Sequence, residues 1–383
     1  VRLTSGAAVS TATDQSIGLL AQAIGGGGGA AGSTSASGAT SSKLTLNLAI
    51  GADGGSGNTA GTVDLTNTGS VSTSGDLAYG VLAQSLGGGG GTGGDVSTFS
   101  KPNLVALLKP SDQEQDSFSL AIGGKGGTGS TSDKVTVVNS GSIATTGKGA
   151  IGLLAQSIGG TGGNAGAVET GSVGVKKSHS LDIGIGAEGG TGNTGGVVEV
   201  TNQGQSSSIH TSGNDAHGVF ALSLGGGGGV GSKSKDISLN TLPLQNSSAE
   251  FEGSFLLGGK GGTGGTSELV KVTNDGAITT TGKNSHGIIA QSIGGGGGAG
   301  GYALSGDVQL GLSSSNGSSN RVILGGGGGT GNVGGNVEVT NTETGEINVS
   351  GEGSYGIYAQ SIGGGGGNGA FSVAASPSML LGD

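Results

Sequence analysis

The chain has 383 residues, of which 95 are glycine; charged residues make up 10% and aromatic residues 3%, and cysteine and tryptophan are absent. Such a chain lacks the large side chains that fill ordinary globular cores, four prolines without a Gly-X-Y period exclude collagen, and no disulfide or thiolate site can form. The formal charge of −10, with 15 basic and 25 acidic residues and no basic run, gives no footing for nucleic-acid binding.

Glycine-rich tracts are often disordered, but here apolar residues return in register. One stretch occurs six times, beginning at Gly18 (GLLAQAIGGGGG), Gly80 (GVLAQSLGGGGG), Gly152 (GLLAQSIGGTGG), Gly218 (GVFALSLGGGGG), Gly287 (GIIAQSIGGGGG) and Gly356 (GIYAQSIGGGGG). The steps between them are 62, 72, 66, 69 and 69 residues. A fixed unit that tolerates insertions marks a repeat architecture, in which each unit buries its apolar face against its neighbours. Residues 1–383 are therefore expected to form one continuous array of about five units of roughly 68 residues. The chain begins inside one unit and stops inside the next, so it is expected to be a segment of something longer. It has no apolar run of the length that spans a membrane as a helix, and no signal peptide is visible at Val1.

Within each unit the first predicted strand alternates, as in Val63-Asp-Leu65-Thr-Asn67, Val135-Thr-Val137-Val-Asn139 and Val270-Lys-Val272-Thr-Asn274. Apolar residues at every second position are the mark of a half-buried strand. Asn followed by Gly (Asn67 and Gly69, Asn139 and Gly141) makes a turn. A second short strand follows (Val71-Ser-Thr73, Ile143-Ala-Thr145, Ile278-Thr-Thr280), then the GIIAQSI strand and its glycine run. The second half starts with a strand such as Asp236-Ile-Ser-Leu or Asp307-Val-Gln-Leu. After a variable insert it closes on an apolar strand that also runs into glycine, as in Leu48-Ala-Ile50-Gly and Leu120-Ala-Ile122-Gly. The simplest reading is two stacked coils per unit, each closing on a Gly-rich arm; one large coil per unit is also compatible. No helical period occurs anywhere, and the glycines and β-branched residues disfavour helix. The fold class is all-β, a parallel β-solenoid (β-helix) with stacked Gly-rich arms. Residues 101–118 and 232–254 deviate most and are expected to project as loops.

The paired patterns Val-x-Val-Thr-Asn-x-Gly-x-Ile-x-Thr-x-Gly and Gly-Ile-x-Ala-Gln-Ser-Ile-Gly-Gly-Gly-Gly-Gly resemble the repeated passenger regions of large bacterial autotransporters. The resemblance runs through essentially the whole chain. It implies a right-handed parallel β-helix exposed at the cell surface, an export signal before it, and an outer-membrane β-barrel after it, the only part that would enter a membrane. It also implies an adhesive or self-associating role, toward other copies or toward a host or neighbouring cell. An extracellular fibre built end to end is the alternative, and an enzyme passenger the least favoured. The repeat is specific for this class but does not fix a function.

Little in the sequence carries chemistry. Gly123-Gly-Lys125-Gly-Gly-Thr128-Gly-Ser130 imitates a P-loop, but Gly129 stands where the lysine belongs and a strand follows in place of a helix. A calcium β-roll needs an acid at a fixed turn position; here that position holds Asp53, Lys125 and Glu188. This excludes a repeated calcium array and leaves an isolated site open. The position before the GIxAQSI glycine reads Ile17, Tyr79, Ile151, His217, His286, Tyr355. Tyr79, His217, His286 and Tyr355 form a candidate ligand-contact column suited to sugars, against the plainer reading of a strand-edge residue at a coil corner. With two coils per unit, His217 and His286 would lie near 10 Å apart, too far to share a metal ion. The four histidines (His179, His210, His217, His286) have no catalytic motif around them. No enzyme activity, cofactor or metal is expected.

The glycine runs are expected to be ordered. Five consecutive glycines cost roughly 0.5–1 kcal/mol each to order relative to alanine, yet unbroken glycine returns in five of the six units. A Cβ there would collide with the run of the next coil if the runs lie side by side as polyproline-II-like strands. On this reading the amides of Gly294–Gly298 exchange slowly and Gly296→Val destabilises. Likewise Ala83, Ala155, Ala290 and Ala359 are expected in a narrow interior, where Ala290→Phe would overpack.

Overall fold

The computed structural model describes residues 1–40, 44–102, 115–175, 178–241, 251–311 and 318–380. It is all-β, with no helix among the described residues, and every strand pairing is parallel. Each turn of the chain contributes one strand to each of five sheets. The first sheet stacks Arg2–Ser5, Val63–Asn67, Val135–Asn139, Val198–Asn202, Val270–Asn274 and Val337–Asn341. The second stacks the short strands from Val9–Thr11 to Glu346–Val349, and the third the AQSI strands from Leu19–Ile24 to Ile357–Ile362. The fourth runs from Thr34–Thr40 through Val168–Val175 to Ser372–Ala375, and the fifth from Leu44–Ile50 through Ser178–Ile185 to Ser318–Leu324. A full unit is thus one large coil of five strands, and the two-coil reading is wrong. The two halves resemble each other because both end in glycine arms, not because both close a ring.

The first three sheets enclose an apolar core. Val135, Val137, Ile143, Leu153 and Ala155 are buried from one unit, and the same positions repeat in the next. Ala83, Ala155 and Ala290 are fully buried at the middle of the third sheet, as expected of a narrow interior, and so is Ala221, whereas Ala359, in the edge strand of that sheet, is exposed. The neighbouring serine faces the same way. Ser157 donates to the carbonyl of Asp133 and accepts from the amide of Gly196, at 2.8 and 2.9 Å, which pins the chain where it re-enters the first sheet. Gln22, Gln84 and Gln156 face outward and join side chain to side chain at 2.6 and 2.7 Å.

The two glycine arms lie between this lobe and the sandwich of the fourth and fifth sheets. Their amides follow a period of three, the turn of a polyproline-II strand. In the run from Gly87, Gly87 donates to Ile158 on the same arm one coil on, Gly88 donates to Asn58 on the other arm, and Gly90 and Gly91 repeat the pair toward Thr161 and Gly55. A zigzag of bonds near 2.8 Å runs through the stack: Gly91 to Gly55, Gly127 to Gly91, Gly163 to Gly127, Gly190 to Gly163. Two positions in three therefore face a neighbouring backbone. A Cβ on Gly295 would land on the carbonyl oxygen of Gly226. The third position points to solvent, where a Cβ on Gly296 meets nothing nearer than Gly365 O at 3.5 Å. The arms are ordered, but Gly296 was the wrong residue to hold responsible. The Gly-Gly-x triplet is the local period behind this geometry, visible in Gly93-Gly94-Asp95 and Gly126-Gly127-Thr128.

One other expectation changes. The described ends of 101–118 and 232–254 are strand and not loop, since Val96–Pro102, Gln115–Ile122, Ser234–Thr241 and Phe251–Leu257 all pair in register. Residues 103–114 and 242–250 lie outside the described residues. The alternation of the last two sheets is also inverted relative to the first three. In Ser178–Ile185 the apolar Leu181 and Ile183 face out and Asp182 faces in, at 1% exposure.

Candidate functional site

Parallel in-register stacking puts equivalent residues one strand spacing apart, about 4.8 Å. The position before each AQSI-strand glycine sits at the corner entering the third sheet, where the glycine amide bonds to the carbonyl of the ring residue one coil on (Gly152 to His217, Gly218 to His286, Gly287 to Tyr355). The rings of His217 and His286 stack at 4.9 Å and 3°, and His286 and Tyr355 at 5.1 Å and 26°. The separation near 10 Å expected for two coils is therefore overturned. Tyr79 is not part of this stack, because Ile151 occupies the coil between; Tyr79 and Ile151 pack against Leu82 and Leu154.

The histidines are held by backbone. Nδ1 of His217 accepts the amide of His286 at 3.1 Å, and Nδ1 of His286 accepts the amide of Tyr355 at 2.9 Å. An accepting Nδ1 puts the ring proton on Nε2. Metal binding through Nε2 would require the other tautomer and would break the backbone bond, so the pair is poorly suited to share an ion despite its spacing. Burial, and then the neighbouring His286, lower the His217 pKa from 6.5 to about 4, against the opposing charge of Asp215. Burial also lowers that of His286. Both rings are neutral at pH 7, and the column is an aromatic ladder with one edge in solvent.

The remaining motifs resolve into structure. The amides of Gly124 and Gly127 are spent on Gly94 and Gly91, so the P-loop imitation has no free cradle for phosphate. Asp53, Lys125 and Glu188 do fall in one outward column, followed by Lys260, and their alternating sign opposes a calcium column. His179 pairs with Asp116 at 3.1 Å on an exposed edge, and among the described residues no hydroxyl bonds to its ring.

Two features escaped the sequence reading. The outer face of the fifth sheet carries aliphatic and aromatic ladders in register: Leu48, Leu120, Ile183, Phe255, Val322 in one row and Ile50, Ile122, Ile185, Leu257, Leu324 in the next. Ile50 is 57% exposed and Leu324 51% in the two edge strands, and the residues of both rows between them are half-buried. Behind it, the inner face of the same sandwich is polar and includes Asp182, Asp236, Glu252 and Asp307, all buried. One signal could have found both. The residue before each glycine arm faces outward in the third sheet (Ile158, Ile293), and the same parity carried to Ile122 and Ile185 turns their apolar rows outward.

No family model, curated protein or solved structure matches the chain.

Proposed function

We propose that this chain is a non-catalytic stalk at a bacterial cell surface, part of an autotransporter passenger, and that it works by lateral association with other copies of itself. The observation that supports this most is the apolar outer face of the fifth sheet. Five rungs at about 4.8 Å give a flat strip of roughly 24 Å that the fold does not use internally. Contiguous exposed apolar surface on this scale marks an interaction site. A second copy offers rows of the same spacing, so the two faces match rung for rung. The ring ladder of His217, His286 and Tyr355 supports a second reading, contact with a sugar on a neighbouring surface, because stacked rings suit the apolar faces of saccharides.

Sedimentation velocity decides the first reading. The chain is expected to associate with rising concentration, and the double variant Ile183→Lys, Phe255→Lys to stay monomeric with an unchanged circular dichroism spectrum. A wild-type chain that remains monomeric at high micromolar concentration sinks lateral association. End-to-end growth of fibres unaffected by the two lysines would favour the fibre alternative.

A further inference from the structure

Beside the apolar strip of the fifth sheet runs a row of alternating charge. Asp53, Lys125, Glu188 and Lys260 stand three residues after Ile50, Ile122, Ile185 and Leu257, on four successive rungs, and all four are exposed. The other positions of their arm bond to the arm that leads into the fourth sheet, and the fourth sheet packs on the inner face of the fifth. The charged row and the apolar rows therefore look out on the same side. Among the described residues no ion pair ties these four charges to one another or to other side chains.

We infer that this side takes a second copy of the chain running antiparallel, centred between the coils of Lys125 and Glu188. The inference rests on the lateral association proposed above and adds its direction and register. A two-fold axis along the strands sets each column against itself with the rungs reversed. Asp53 then meets Lys260 of the second copy and Lys125 meets its Glu188, so each charge faces an opposite one. The column nearest the start of the strands follows the same rule, with Asp116 against His179. The apolar rows stay together, Leu48 against Phe255 and Leu120 against Ile183.

The alternatives are worse. Sliding the second copy by one rung sets Lys125 on its own counterpart, or Glu188 on its own, and like charges set against each other repel. A parallel copy needs the axis along the solenoid, which reverses the order of the columns. Asp53, Lys125 and Glu188 are then carried toward Leu46, Phe118 and Leu181 of the second copy, where they lose water and gain no partner. Exposed ion pairs add little each. The apolar rows hold the two copies together, and the charges choose direction and register.

The chain has no cysteine, so single thiols report direction. The whole chain is made as Leu48→Cys and, separately, as Phe255→Cys, and each is treated with a short thiol cross-linker alone and mixed with the other. Expected is a linked dimer from the mixture and little from either alone, because the two copies of Leu48 then lie three rungs apart, about 14 Å. In sedimentation velocity, Lys125→Glu with Lys260→Glu should weaken association about tenfold. Lys148→Glu with Lys235→Glu makes the same change in net charge away from the strip and should leave association as it is. Self-linking of Leu48→Cys as strong as the mixed link would mean a parallel copy, and equal weakening by both lysine pairs would mean net charge alone. Either result overturns the antiparallel arrangement and leaves lateral association standing. A wild-type chain that does not associate at all ends both.

Discussion

The side-chain amide of Asn139 donates to Oδ1 of Asn202 at 2.8 Å while its own Oδ1 accepts from Asn67 at the same distance. The ladder continues through Asn274 to Asn341, and the second amide hydrogen of Asn139 goes to the carbonyl of Gly141. Asn67, Asn139 and Asn274 thus each close their own turn, and the inner members of the ladder bond to copies above and below. Asn139→Ala strands a donor on Asn67 and an acceptor on Asn202, both buried, and should cost about 2–4 kcal/mol. Asn139→Asp should cost more, since it removes the donor and buries a charge. Chemical denaturation midpoints measure both; a loss under about 0.5 kcal/mol for alanine would mean that water replaces the ladder.

The arms make a prediction with a period of three. The amides of Gly294, Gly295, Gly297 and Gly298 donate to backbone carbonyls at 2.7–2.9 Å, and that of Gly296 to no group among the described residues. Hydrogen exchange should be slow at the four and fast at the one. Gly295→Ala should destabilise, because its Cβ meets the carbonyl of Gly226. Gly296→Ala should be neutral or stabilising by about 0.4–1 kcal/mol through the unfolded chain. Uniformly fast exchange across the run would dissolve the polyproline-II bundle.

Leu77 carries a backbone cost that glycine at the same position avoids and asparagine bears more easily. It has φ of +54°, and the equivalent residues one coil apart are Gln15, Gly149, Asp215, Asn284 and Gly353, all with positive φ. A left-handed conformation costs a residue with a Cβ roughly 1–2 kcal/mol, and Asn bears it better than Leu. Leu77 is 49% exposed, so little packing is lost in Leu77→Asn. The variant should gain about 1 kcal/mol in thermal unfolding, and a loss would mean that the leucine packs onto the next coil more than its exposure implies.

The histidine ladder couples stability to pH. Both rings hold protons less readily in the folded chain than in the unfolded one. Their contribution is complete above pH 6.5 and declines on acidification, for His217 down to about pH 4. Asp182 acts in the opposite sense, since its raised pKa means stability lost as pH rises from 3.8 to about 7. The ladder is therefore read from the difference between wild type and His217→Ile, the residue that Ile17 and Ile151 place at the same position. The variant should lose less Tm than wild type between pH 7 and pH 4.5. Parallel curves would show that His217 titrates normally.

Much of the stack was legible because parallel pairing in register copies sequence into space. Val135, Val198 and Val270 recur in the sequence and lie against one another. The number of coils per unit was not legible, because closing a ring depends on which arm meets which, and glycine offers no side chain to reveal its neighbour. The inner face of the second lobe was missed for a different reason. Alternation in Leu181-Asp182-Ile183 marks two faces but not which one is inside. The ring column was found as a column. The spacing of His217 and His286 was wrong because it inherited the error in the coil count.

The solvent-facing third position of each arm has an evolutionary consequence. Asp53, Lys125, Glu188 and Lys260 succeed one another there, and Thr128, Thr191 and Thr263 three residues on; Asp53 Oδ1 accepts the amide of Lys125 at 2.8 Å, while the zigzag of the arms itself is made by backbone groups alone. Mutation can rewrite that outward lettering one coil at a time while the hydrogen-bonded scaffold stays as it is. Variants that differ in charge or hydroxyl pattern along the arms would share one architecture and present different faces to whatever reads them.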